Sequence, residues 1–279
     1  MKHFETKWKT QDNLDIFAQG WEPDTRETKA VICLVHGLGE HTSRYEHVAE
    51  AFSKDGYAMY GFDLRGHGRS GGPRGHFPSI EAVMQDIDLL FEQARKRYPG
   101  LPLLLYGHSL GGILVLHYGL KRKPTVKGVI VTSPGLHTAL ESQTAKIMAA
   151  KILGLLIPTV SLPSGLDASA ISHTQAVVDK YNHDPLTHDK VSLGFGRVML
   201  GVTKWTLEHA GEFSIPLLLM HGKEDRIAFP SSSIEFAAAL KDKCTLFLWD
   251  DGYHELHNEP EQAEVFKTTQ IWMDARLKE

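Results

Sequence analysis

Residues 103–112 read LLLYGHSLGG: an apolar run stops at Gly107, and a Gly-His-Ser-Leu-Gly pentapeptide follows at once. An apolar run with no polar alternation predicts a strand buried on both faces. Downstream, "LGGILVLHYGL" has helical spacing and predicts a helix over 110–122. Strand, tight turn, helix is the setting in which G-x-S-x-G lifts a serine hydroxyl clear of a sheet. The turn strains the backbone of Ser109, and glycines at 107 and 111 are expected because a Cβ there would crowd the neighbouring strand or helix. The competing reading of the stretch is an ordinary glycine turn.

The same grammar repeats along the chain. "AVICLVHG" (30–37), "YAMYGFD" (57–63), "LPLLLYG" (101–107), "KGVIVTS" (127–133), "IPLLLMHG" (215–222) and "CTLFLWD" (244–250) read as buried strands. Helices are expected over 43–55, 79–94, 110–122, 230–241 and 260–276, with Ser79 as an N-cap. "FETKWKT" and "LDIFAQGW" flank "QDN" and suggest an N-terminal hairpin. Alternating short strands and helices predict an α/β fold: a mostly parallel sheet of about eight strands with helices on both faces. A parallel crossover needs only about a dozen residues, yet Ser133 and Ile215 lie far further apart. We read 136–212 as a helical cap inserted into a single domain spanning 1–279.

Composition narrows the function. The net charge of −4, without a block of one sign, gives no reason to expect nucleic acid. Cys33 and Cys244 both sit in apolar runs and read as buried thiols, not a disulfide or a metal pair. No His/Cys spacing suggests a metal site, and no cofactor is called for. The polar start "MKHFETKWKT" lacks a secretory pattern, and no apolar run is long enough to span a bilayer. A cytoplasmic protein is expected, with peripheral membrane contact left open.

A serine hydroxyl reacts only when a base takes its proton, and that base is usually a histidine held by a carboxylate. Elbow-type sheets order these groups Ser, acid, His. "IPLLLMHGKEDRIAF" supplies Asp225 after one strand, and "CTLFLWDDGYHELHNEP" supplies His254 after the next. Glu224, Asp250 and Asp251 are the competing acids. Among the histidines, His108 should face away from the Ser109 hydroxyl, and His36 and His221 should bond locally at strand ends. An oxyanion needs two backbone N–H donors. Leu110, after the serine, and Leu38, in "VHGLGEH", are the candidates.

"HGLGEHTSRY", "DLRGHGRSGG", "YPGLPLLLYGHSLGG", "YNHDPL", "HGKEDRI" and "GYHELHNE" together resemble the monoacylglycerol lipase family of α/β-hydrolases, from about residue 12 to 275. The resemblance implies Ser109, Asp225 and His254 as triad, Leu38 and Leu110 as oxyanion donors, and Glu40, Arg44 and His257 as a pocket for a glycerol head. It implies cleavage of a monoacylglycerol to glycerol and fatty acid, with an apolar acyl tunnel under the cap. Lysophospholipase or broad carboxylesterase activity keeps the same machinery. A non-catalytic binding protein of this fold is the alternative from another class. In "TAKIMAAKILGLLIP" (144–158), Ile147, Met148, Ile152, Leu155 and Leu156 form an apolar face beside Lys146 and Lys151, suited either to packing on the protein or to a bilayer interface.

Overall fold

The computed structural model describes residues 1–24, 27–138 and 152–279, apart from the side chain of Lys241. Its strands are β1 (Lys2–Lys9), β2 (Asp15–Glu22), β3 (Ala30–Val35), β4 (Tyr57–Phe62), β5 (Leu103–His108), β6 (Gly128–Thr132), β7 (Ser161–Pro163), β8 (Lys190–Ser192), β9 (Leu217–Gly222) and β10 (Cys244–Trp249). Eight of them form one sheet in the order β1-β2-β4-β3-β5-β6-β9-β10. The β1–β2 and β2–β4 pairs are antiparallel; the pairs from β4 to β10 are parallel. This is the α/β-hydrolase architecture.

Alternate residues of each inner strand feed opposite cores. Val31, Cys33 and Val35 join a cluster with helices α2 (Ile80–Arg97), α3 (Leu110–Arg122), Leu193–Glu208 and Pro230–Leu240. Ala30, Ile32 and Leu34 join one with α1 (Glu46–Ser53) and Gln262–Leu277. Ser79 caps α2 by accepting from the Ala82 N–H at 3.1 Å. One strand departs from expectation. β10 is not buried throughout: Thr245 and Phe247 are exposed, because β10 is the outer strand and has a partner on one side only.

Between β6 and β9 the chain holds the small β7–β8 pair and the helices Gln175–His183 and Leu193–Glu208. It is tied to loops at the carboxyl edge of the sheet. His188 N–H donates to Gly39 O at 2.9 Å, Ser192 N–H to Gly75 O at 2.8 Å, and Asp184 Oδ2 lies 2.9 Å from His41 Nε2. On the other side, Ile171 O accepts from Glu255 N–H at 2.8 Å. Of the amphipathic segment read from the sequence, Lys146, Ile147, Met148 and Lys151 lie outside the described residues. Residues 152–156 are helical, and Ile152, Leu155 and Leu156 are exposed at 55%, 67% and 74%. Among the described residues no helix is long and apolar enough to cross a membrane.

Candidate active site

Ser109 joins β5 to α3 with φ 52° and ψ −115°. A side chain held at such angles stores roughly 1–3 kcal/mol of strain. The surroundings enforce it. Ser109 N–H donates to Thr132 O at 3.0 Å, and Ser109 O accepts from Ile113 N–H at 3.1 Å. The two elbow glycines are sterically required. A Cβ on Gly111 would lie 2.0 Å from Val35 O, and one on Gly107 2.5 Å from Gly111 O.

Two later turns bring the other groups to the same edge. Asp225 follows β9 and His254 follows β10. Their order along the sheet places both on one side of β5, with β6 between. His254 Nε2 lies 2.8 Å from Ser109 Oγ, and His254 Nδ1 lies 2.7 Å from Asp225 Oδ2. The second carboxylate oxygen accepts from Ile227 N–H at 2.8 Å and Ala228 N–H at 3.0 Å. Asp225 and His254 are buried. Burial pushes the Asp225 carboxyl up, but the charge of His254 and the bonds from His221 and His254 outweigh it and hold the group well below the usual carboxylate range. Burial likewise pushes His254 down, and the adjacent Asp225 anion overrides it, so the imidazole is more basic than usual. A hydroxyl, a strengthened base and a fixed anion in one line can transfer a proton off Ser109 during nucleophilic attack.

The competing acids are elsewhere: Glu224 and Asp251 are exposed, and Asp250 pairs with Lys223. His36 bonds locally, with its Nδ1 2.8 Å from Gly37 O and its Nε2 accepting from Leu64 N–H at 2.9 Å. His108 makes no bond to Ser109; its Nδ1 lies 3.0 Å from Thr132 Oγ1, and its ring packs 4.9 Å from that of His254.

Leu110 is the first residue of α3, so its N–H has no partner within the helix. Leu38 lines the same cleft as Ser109 and His254. That cleft is narrow, with a water-accessible volume of about 10 Å³, and is also lined by Gly37, Glu40, His108, Leu166, Ile171, Tyr181 and Glu255.

The three residues implied for a head-group pocket part company. Glu40 faces the cleft; its Oε1 accepts from Gly37 N–H and, at 2.7 Å, from Tyr45 O–H. Arg44 is buried between Glu255 at 2.7 Å and Glu40 at 3.7 Å, with Tyr181 beneath its guanidinium at 4.7 Å. His257 is outside the cleft lining, stacked on Tyr45 with ring centres 4.9 Å apart and edge-on to His108 at 4.9 Å. Neither of its ring nitrogens has a partner, and burial pushes its pKa well below the ordinary imidazole value.

A family model described as serine aminopeptidase, S33, matches residues 26–261. An uncharacterized abhydrolase domain-containing protein of Dictyostelium discoideum is 38% identical over 96% of this chain, which spans 29% of that protein's length. The monoacylglycerol lipase of Mycolicibacterium smegmatis is 34% identical over 92% of both chains. A crystal structure of the Paleococcus ferrophilus monoacylglycerol lipase superposes with TM-score 0.83 at 31% identity, over 99% of this chain and 100% of the other. This chain belongs to the monoacylglycerol lipase family of serine hydrolases. Seen as a member of that family, it has site residues that sequence reading missed. Leu166, Ile171 and Tyr181 come from the segment between β6 and β9; Tyr181 opens the quoted YNHDPL stretch without a role assigned to it, and Leu166 and Ile171 lie in no quoted motif. Glu255 follows the candidate base directly, but only the Arg44 contact gives it meaning. The sequence leads one to expect local bonding of His221, and its local partner is Asp225 itself, at 3.1 Å.

Proposed function

We propose that this protein hydrolyses monoacylglycerol to glycerol and a free fatty acid. The observation that carries the reading is the unbroken line from Ser109 Oγ through His254 to Asp225 at the floor of a cleft. The names of its full-length relatives supply the ester class. Ser109 Oγ attacks the ester carbonyl as His254 Nε2 takes its proton. The N–H groups of Leu38 and Leu110 hold the resulting oxyanion. The carbon–oxygen bond then breaks, and glycerol leaves with the proton from His254. Water attacks the acyl-enzyme, again giving its proton to His254, which returns it to Ser109 as the fatty acid departs. Asp225 steadies the imidazolium in both halves.

Glu40 and Glu255 are the groups that accept the glycerol hydroxyls. Arg44 acts from behind them, and His257 supports the wall behind His108. The same arrangement disfavours a phosphorylated head: Arg44 is already flanked by two carboxylates that line the cleft. The described part of 136–212 acts as the cap, and lipid arrives across its apolar surface. Exposed Ile152, Leu155, Leu156, Ile157 and Leu162 support peripheral contact with a membrane. With only about 10 Å³ open to water, the cleft is far below the roughly 300–1,000 Å³ of most ligand pockets, so entry of the substrate requires the cap to yield.

Ser109→Ala is the test. It is expected to abolish hydrolysis of monoacylglycerol and labelling by a fluorophosphonate; a variant that still labels fully refutes the role. Parallel rates on monoacylglycerol, lysophosphatidylcholine and short p-nitrophenyl esters then rank the head groups, and faster turnover of lysophosphatidylcholine refutes the substrate. A wild-type chain inert to every ester returns the fold to a binding role.

A further inference from the structure

Asp225 Oδ2 carries two imidazoles, not one. His254 Nδ1 lies 2.7 Å from it and His221 Nε2 3.1 Å. His221 Nε2 is also 3.0 Å from Ala228 O. Both neighbours of that nitrogen are acceptors, so Nε2 bears the proton. In the neutral ring Nδ1 must then accept, and Ser233 Oγ–H, 2.7 Å away, donates to it. His221 and Ser233 are completely buried. The result is a continuous row, Ser109–His254–Asp225–His221–Ser233, with the carboxylate at its centre. Neither His221 nor Ser233 touches the cleft, and neither has a part in the hydrolysis described above.

We infer that His221, its tautomer set by Ser233, is a positioning residue that holds the Asp225 carboxylate plane and shares its Oδ2 charge with His254. The inference rests on the reading of Ser109, His254 and Asp225 as the reacting groups. Two backbone N–H groups pin Oδ1, and His221 supplies the matching restraint on Oδ2 while the His254 imidazolium turns from the serine to the leaving oxygen. It also tempers that oxygen. Each donor draws charge from the atom it bonds, so loss of His221 leaves His254 facing a more negative partner. The imidazolium becomes easier to keep, and a higher pH is needed to free the base. The other groups around His254 stay in place: the His108 ring at 4.9 Å, the carboxylates of Glu40 and Glu255, and Arg44 and His257 behind them.

The experiment uses the full chain with His221→Leu, His221→Gln and Ser233→Ala. Turnover of a short p-nitrophenyl ester is followed from about pH 5 to 9, across the imidazole range, with active sites titrated by a fluorophosphonate. In His221→Leu the acid limb of kcat/KM should move up by about half a pH unit or more, and kcat per titrated site should fall roughly tenfold with KM unchanged. His221→Gln keeps an N–H within reach of Asp225 and should recover most of kcat; Ser233→Ala should fall between. A packing role alone would lower the melting temperature and the titratable fraction without moving the limb. A His221→Leu protein with the wild-type limb and kcat within about twofold overturns the inference. If that variant does not fold, Ser233→Ala decides in the same way. Failure here with an active wild-type enzyme leaves the proposed function standing, whereas an inert wild-type enzyme removes both.

Discussion

Replacing Asp225 by asparagine isolates what the carboxylate does, because the structure dictates how the amide must sit. Ile227 and Ala228 N–H groups both donate to Oδ1. An amide NH2 there would face two donors, whereas the His221 Nε2–H that meets Oδ2 also has Ala228 O at 3.0 Å; the oxygen of Asn therefore takes the Oδ1 place and the NH2 falls where Oδ2 was. It then points at His254 Nδ1, 2.7 Å away in the wild type. His254 must accept at Nδ1 and carry its proton on Nε2, where it can no longer receive the one from Ser109. The opposite amide orientation restores the tautomer but leaves two buried N–H groups unpaired, at about 1–3 kcal/mol each. The productive form is thus disfavoured by about 2–6 kcal/mol, a loss of roughly thirty-fold to twenty-five-thousand-fold in kcat. The assay is single-turnover acylation by a p-nitrophenyl ester, normalised to correctly folded protein by circular dichroism and thermal melting. An Asp225→Asn enzyme within threefold of wild type, with the same melting temperature, would falsify the tautomer argument.

Four other outcomes are expected. Gly111→Ala drives a methyl group into Val35 O at 2.0 Å and should cost at least about 1–3 kcal/mol, read as a fall in melting temperature or loss of soluble protein. Ser109→Gly should be inactive yet more heat-stable than Ser109→Ala, because glycine adopts φ 52° without strain; equal melting temperatures would remove the strain argument. Arg44→Met strands the Glu40 and Glu255 carboxylates and should destabilise by about 3–5 kcal/mol in urea unfolding, with partial recovery when Glu255→Gln is added. The pH profile follows from the raised basicity of His254. Catalysis needs the neutral ring, so kcat/KM should fall on acidification with a midpoint above the ordinary imidazole value of 6.5. The stability contribution runs the other way: it is present below pH 6.5 and is lost as pH rises through the folded-state value. An acid limb centred below 6.5 contradicts the Asp225–His254 pairing.

The pentapeptide around Ser109, the run of apolar strands and the Asp225 and His254 turns were legible because each is a local pattern. A strand buried on both faces must be apolar along its length, an elbow must have glycine where backbone meets backbone, and the loops after parallel strands share one edge. Helix 110–122 was readable to the residue for the same reason. The exposure of β10 was not, since an outer strand carries the same apolar letters as an inner one and differs only in lacking a neighbour.

Sequence by itself determined which groups are the candidates to react and the order in which they appear, because covalent spacing and periodicity are properties of short stretches. Tertiary structure alone decided what surrounds them. It set Arg44 between two carboxylates and left His257 outside the cleft lining, stacked on Tyr45. It brought Ile171 and Tyr181 to the wall and gave Asp225 a second imidazole. Those contacts depend on where distant segments meet. Their strength comes from the exclusion of water at the meeting point, which no residue encodes alone.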